Sequence, residues 1–153
     1  MASKAQPGSG KGVADGLARV LADTYALALT TQNFHWNVTG PHFHDRHKLF
    51  EALYAELNGA VDGIAERMRA LGAYAPGSLG AYARLTAIKE VDRPLAADDM
   101  LRRLAEGHAA AAASCQATLQ AAQKASDEVT ADLMIQRLAA HEKALWMLRS
   151  TLA

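Results

Sequence analysis

With 153 residues, half of them hydrophobic, and Lys+Arg matched by Asp+Glu at 16 each, the chain can bury one core without staples and is expected to form a single domain. The balanced charge gives the chain as a whole no electrostatic hold on nucleic acid, and no apolar run approaches the roughly 20 residues of a membrane span. The single cysteine, Cys115, has no partner for an internal disulfide. With a polar, Gly-rich N-terminus that lacks the apolar stretch of a signal peptide, it points to a reducing cytoplasm.

Residues 1–12, with Lys4 and Lys11 among Gly, Ser and Pro, are expected as a flexible tail ahead of a domain over 13–153. Residues 12–38 follow as a first helix, with Val13, Leu17, Val20, Leu21, Tyr25, Leu29 and Phe34 at close to helical spacing. Thr39-Gly40-Pro41 breaks it. A second long helix over 42–71 is closed by Gly72, and 73–80 read as a loop around Pro76-Gly77-Ser78. A short connecting helix is expected over 81–88. A third long helix runs from about residue 96 through an Ala-rich stretch, where alanine both favours helix and lets neighbours approach. Cys115 lies in that stretch as a small packing residue. Ser126-Asp127-Glu128 opens a fourth helix carrying Leu133, Ile135, Leu138, Leu145 and Leu148. The class is all-α, a four-helix bundle with a short helix in the long connection.

The second helix carries the chemistry. With His47 at zero on a helical wheel, Glu51 falls at about 40°, Asp62 at about 60° and Glu66 at about 100°. Phe50, Leu53, Leu57, Val61, Ile64 and Met68 occupy an arc from about 240° to about 320°. The His and carboxylate stripe therefore faces away from the chain's own core. Along the axis, however, His47 and Glu51 lie roughly 16 to 28 Å from Asp62 and Glu66. Two bridged metals stand about 3.5–4 Å apart, so these four cannot form one site within a chain. Both pairs are centred between Glu56 and Leu57. An antiparallel copy of the helix across a twofold axis would bring His47 level with the partner's Glu66, and Glu51 level with the partner's Asp62. Ala55 and Gly59 are small enough to allow the crossing. His35, at the end of the first helix, is a further ligand candidate beside the start of the second. Imidazole with carboxylate favours Fe, Mn or Zn over Ca or Mg.

Other chemistries fail on spacing. Gly8-Ser9-Gly10-Lys11 is followed by Gly12, where a phosphate loop needs a hydroxyl. No Glu is followed three residues later by His, as an intrachain di-iron bundle requires. His141-Glu142-Lys143-Ala144-Leu145 lacks the second His of a zinc protease helix. His108 and His141 read as structural.

His35-Trp36-Asn37-Val38-Thr39-Gly40, then Phe43, His47, Phe50-Glu51, Tyr54 and Asp62-Gly63-Ile64-Ala65-Glu66-Arg67 together resemble the Dps family of small ferritin-like proteins. Ala75-Pro76-Gly77-Ser78, Asp127-Glu128-Val129-Thr130-Ala131-Asp132 and His141-Glu142-Lys143 with Trp146-Met147-Leu148-Arg149-Ser150 extend the likeness over nearly all of the chain beyond residue 12. The resemblance implies a hollow dodecamer with di-iron ferroxidase centres at twofold interfaces. Such a cage oxidises Fe(II), with hydrogen peroxide preferred over oxygen, and keeps ferric mineral inside. His35, His47 and Glu51 occupy the family's ligand positions on one subunit, with Asp62 and Glu66 supplied by the other. Trp36 is expected to pack in the core, and the resemblance adds a role as electron donor when only one iron is bound. Asp127, Glu128 and Asp132 fall where relatives line iron-entry pores, and they also suit ordinary helix capping.

Three positions depart from the family pattern. Glu51 stands where several members have Asp. Arg46 replaces an apolar residue, its stem expected to pack and its head to reach solvent. His42 and His44 add imidazoles near the site. The alternative function is DNA compaction through the N-terminal lysines, multiplied over the assembly and steeply salt-dependent, with nucleoid association.

Overall fold

The computed structural model describes residues 9–153. Four long helices and one short one are present: α1 Ser9–Asn37, α2 Phe43–Ala70, α3 Leu79–Leu85, α4 Ala97–Lys124 and α5 Glu128–Leu152. No strand occurs among the described residues. α1 packs along α2 and α4, α4 along α5, and α3 lies against α1. The short turns after α1 and α4 make two antiparallel hairpins, and the long connection over 71–96 carries α3 between them. This is the expected bundle.

Two boundaries differ from expectation. α1 begins at Ser9, so Gly10, Lys11 and Gly12 are helical rather than part of a tail, while residues 1–8, Lys4 among them, lie outside the described residues. α3 starts and ends earlier than 81–88. The Ser78 hydroxyl accepts from the Ala81 N–H at 3.2 Å, and extended backbone at Thr86 stops the helix. α2 ends as its glycine foretells: Gly72 has φ +79°, with Gly72 N–H bonded to the Arg69 carbonyl at 2.9 Å and Ala73 N–H to that of Met68 at 3.0 Å.

The core has two apolar clusters. One gathers Leu27, Phe34, Phe50, Leu57, Leu101, Leu104 and Leu148, the other Val13, Leu17, Leu21, Ile64, Met68, Leu119 and Met134. Gly107 lets α1 and α4 close up, since a Cβ there would stand 2.6 Å from Leu27 Cδ1. Buried polar groups lie between the helices. Asp23, with no exposed surface, accepts from Thr86 Oγ1 at 2.8 Å, Ala87 N–H at 2.7 Å and Ser114 Oγ at 2.6 Å. It ties the long connection and α4 to α1. His108 and His141 contact each other through Nδ1 atoms 2.9 Å apart, one ring donating and the other accepting. Arg137 forks onto Glu56, joining α5 to α2, with Nη2 to Oε2 at 3.0 Å. Cys115 is buried, as expected, and burial pushes its thiol up to about 12.

Periodicity over-assigned part of this core. Tyr25 and Leu29 are 39% and 50% exposed, and Ile135 is 52% exposed. Their spacing is helical, but they face away from the bundle. Arg46 is corrected too. Its head is largely covered: it donates to the exposed Asp98 Oδ1 at 2.7 Å in the first turn of α4, and the side chain is 13% exposed.

Candidate metal centre

The α1–α2 turn is short, so the last turn of α1 lies beside the first turns of α2. His35 and His47 meet there, and each Nδ1 bonds the other residue's backbone carbonyl at 2.8 Å. A carbonyl can only accept, so both Nδ1 atoms carry the proton. The lone pair of each ring is thereby left on Nε2, the arrangement that orients a metal-ligating histidine. The rings stack with centroids 3.7 Å apart and planes 16° apart. Phe43 stacks on the far side of His47 at 5.1 Å, and the Tyr54 ring stands edge-on to His35 at 5.2 Å. His35 is buried and His47 half-buried, so the pair is held by packing as well as by hydrogen bonds.

Glu51 lies one turn along α2 from His47. The Lys48 ammonium donates to Glu51 Oε2 at 2.9 Å. That hydrogen bond, and then the charge of Lys48, hold the Glu51 carboxyl below the usual carboxylate value; burial opposes this, and the nearby His35 and His47 add to the lowering. The carboxylate is therefore an anion over the neutral range. Lys48 was missed by the motif reading, although its wheel position of about 100° sets it on the ligand stripe.

Asp62 and Glu66 are exposed on the same helix and are not brought to the histidines. Among the described residues no three His, Cys, Asp or Glu side chains converge as a ligand set within the single chain. One end of α2 thus presents two imidazoles and a carboxylate, and the other end presents two carboxylates. The chain also exposes apolar surface. Tyr25, Leu29 and Trp36 share a stripe of α1, within about 40° of one another on the wheel, and Leu79 of α3 is 72% exposed. Trp36, expected in the core, is instead 62% exposed. His42 and His44 are exposed, and His42 precedes α2 without capping it through its side chain.

The acidic turn before α5 divides into two roles. Asp127 is the N-cap: its Oδ1 accepts from the Thr130 N–H at 3.0 Å and from Arg67 Nη2 at 2.7 Å, and its Oδ2 accepts from Thr130 Oγ1 at 2.6 Å. Burial raises its carboxyl, but those bonds and the Arg67 charge outweigh it and hold the group below its ordinary value. Glu128 and Asp132 are exposed, and Asp132 accepts from Gln136 at 2.7 Å. No helix among the described residues is long and apolar enough to cross a membrane.

Comparison with known proteins agrees with this architecture. The Ferritin-like domain family model matches residues 14–153. A DNA protection during starvation protein from Brevibacillus brevis is 34% identical over 136 residues, covering 89% of this chain and 91% of that protein. An uncharacterised low temperature-induced protein from Nostoc is 36% identical over 143 residues, 92% of this chain and 79% of that one. Among solved structures, a Dps protein from Bacillus brevis superposes with a TM-score of 0.93 at 32% identity, covering 97% of this chain and 99% of that one. Dps from Vibrio cholerae, described as a member of a broad superfamily of ferritin-like diiron-carboxylate proteins, gives 0.91 at 26% identity, with all of both chains covered. The chain belongs to the Dps family of ferritin-like proteins.

Proposed function

We propose that this protein oxidises Fe(II) at sites shared between two copies of the chain and stores the ferric product inside a hollow dodecamer. The observation that carries the reading is the reciprocal bonding of His35 and His47. It fixes both tautomers with Nε2 free, one turn from an ionised Glu51, while among the described residues no further side chain of the same chain joins them as a ligand set. Pairing α2 head-to-tail supplies the rest, the partner's Asp62 and the partner's Glu66, and symmetry makes two such sites per dimer. Imidazole and carboxylate together suit iron.

The chemistry needs two electrons delivered together. Two Fe(II) ions and one hydrogen peroxide, with two protons, give two Fe(III) ions and two waters, so no hydroxyl radical escapes; oxygen serves more slowly. The histidines and carboxylates hold the substrate ions adjacent, and Phe43 and Tyr54 wall the imidazoles on either side. Trp36, exposed in the single chain, becomes available at the interface as an electron donor when one iron only is bound. Glu128 and Asp132 are the carboxylates free to draw cations through a pore, with Asp127 supporting the turn.

The test is anaerobic Fe(II) loading followed by stopped-flow addition of peroxide. His47→Ala and Asp62→Ala each slow the rise in ferric absorbance by about a hundredfold, the scale on which metal sites respond to loss of a ligating or orienting group. Unchanged rates in both remove the assignment.

A second reading, DNA compaction, is favoured by the name of the Brevibacillus relative. Lys11 lies in the first turn of α1 rather than in a free leader, which weakens the tail argument. A gel-shift series against salt, with and without residues 1–11, is expected to show no shift near physiological salt. A retained shift that is lost on truncation would establish the DNA role.

A further inference from the structure

The Lys48 ammonium lies on a group the metal reading needs free. It donates to Glu51 Oε2 at 2.9 Å from the position next to His47, and its side chain is 59% exposed against 44% for Glu51. On the wheel it shares the azimuth of Glu66, about 100° from His47, and in the head-to-tail pairing it comes level with the partner's Ala65, beside the partner's Glu66. A solvated pair at this spacing normally does no more than stabilise its helix slightly. Here the same cation is on the ligand stripe of both protomers. Its position gives it a second consequence.

We propose that Lys48 is a positioning residue that holds Glu51 in place while the site is empty and, once iron is bound, repels the ferric product more strongly than the ferrous substrate. The inference rests on the intersubunit site proposed above. Electrostatics decides its sign. Breaking one exposed pair costs the incoming metal little. An ammonium that stays within about 6 Å of a divalent ion, even at the dielectric of water, costs up to roughly tenfold in affinity. Against a trivalent ion at the same about 6 Å the penalty rises by half in free energy, to roughly thirtyfold. That separation is shorter than the screening length of about 8 Å at physiological salt, where about half of the penalty in free energy remains, roughly threefold against the divalent and fivefold against the trivalent ion.

The ligand charges fit this role. Glu51, the partner's Asp62 and the partner's Glu66 supply three negative charges, so two ferrous ions leave the site one positive and two ferric ions leave it three positive. Lys48 adds one more in each state. The oxidised site is the one driven to empty, and the ion it expels is the one destined for mineral. Affinity for substrate is reduced so that product does not remain.

Calorimetric titration with Zn(II), which is not oxidised, tests this on the assembled protein in its wild-type, Lys48→Gln, Lys48→Arg and Glu51→Ala forms. At low salt Lys48→Gln should bind Zn(II) up to about tenfold more tightly, and about threefold at physiological salt, Lys48→Arg should bind as wild type does because the charge is kept, and Glu51→Ala should bind more weakly. In peroxide stopped-flow with repeated Fe(II) additions, Lys48→Gln should show a lower rate in later turnovers relative to its first. A purely helix-stabilising lysine would move neither readout. Equal Zn(II) affinity in wild type and Lys48→Gln overturns the proposal while leaving the site intact, provided Glu51→Ala weakens binding. Unweakened binding in Glu51→Ala overturns the site reading and this inference with it.

Discussion

Asp23 shows how much one buried side chain organises. Its two oxygens accept three hydrogen bonds, two from the segment that follows α3 and one from α4, at a position without exposed surface. Asp23→Ala leaves Thr86 Oγ1, Ser114 Oγ and the Ala87 N–H to find other partners, at a cost of about 3 kcal/mol. Urea unfolding measures it; a loss below about 1 kcal/mol would show that the three donors are resolvated. Nothing in the local sequence marks Asp23, because its donors come from far along the chain. Arg46 was misread for the same reason: its partner Asp98 lies 52 residues away. His35 and His47, by contrast, were legible, since a short turn between two periodic helices brings their positions together.

At the scale of helices, the α4–α5 hairpin carries a titratable layer. His108 is 2% exposed and His141 0%, the pair bonds through Nδ1, and both Nε2 atoms are buried without a protein partner among the described residues. Burial first, then the neighbouring His141, lowers His108 to about 3; burial first, then Arg137, lowers His141 to about 4. Both folded values lie below the ordinary histidine value of 6.5, so the bundle holds the neutral forms. Stability is full above that value and is lost as pH falls from about 6.5 towards about 4, because the unfolded chain takes up protons that the folded chain refuses. With two such groups the slope approaches about 2.7 kcal/mol per pH unit. The urea midpoint of wild type should fall steeply between those limits, and that of a His108→Leu, His141→Leu variant should fall much less. Parallel curves would remove the pair as the cause. The sequence reading placed both histidines as structural; their pairing across 33 residues needed the packed hairpin to be seen.

For the whole molecule, the telling feature is apolar surface that the single chain leaves uncovered. Tyr25, Leu29 and Trp36 lie on one face of α1 and Leu79 on α3, and Ile135 and Trp146 lie on one face of α5, about 20° apart in azimuth, all exposed. Helical period cannot distinguish a face bound for the chain's own core from one bound for another subunit, which is why Tyr25 and Leu29 read as core and Trp36 was expected to pack there. Two separate regions suit a closed cage better than a lone dimer. Leu29→Glu should break the subunit contact that covers this face, reducing the mass found by analytical ultracentrifugation; an intact assembly would place the interface elsewhere. The bundle and the meeting of His35 with His47 were readable in the chain, whereas completion of the proposed sites depends on how copies meet. Subunit complementation tests that completion most directly. A His35→Ala, His47→Ala variant and an Asp62→Ala, Glu66→Ala variant, each inactive alone, are unfolded together in equal amounts and refolded. Shared sites predict recovery of about a quarter of wild-type peroxide-dependent Fe(II) oxidation, because half the dimers are mixed and each mixed dimer has one intact site of its two. If the mixture stays as inactive as its components although mixed assemblies have formed, the sites are not shared between subunits.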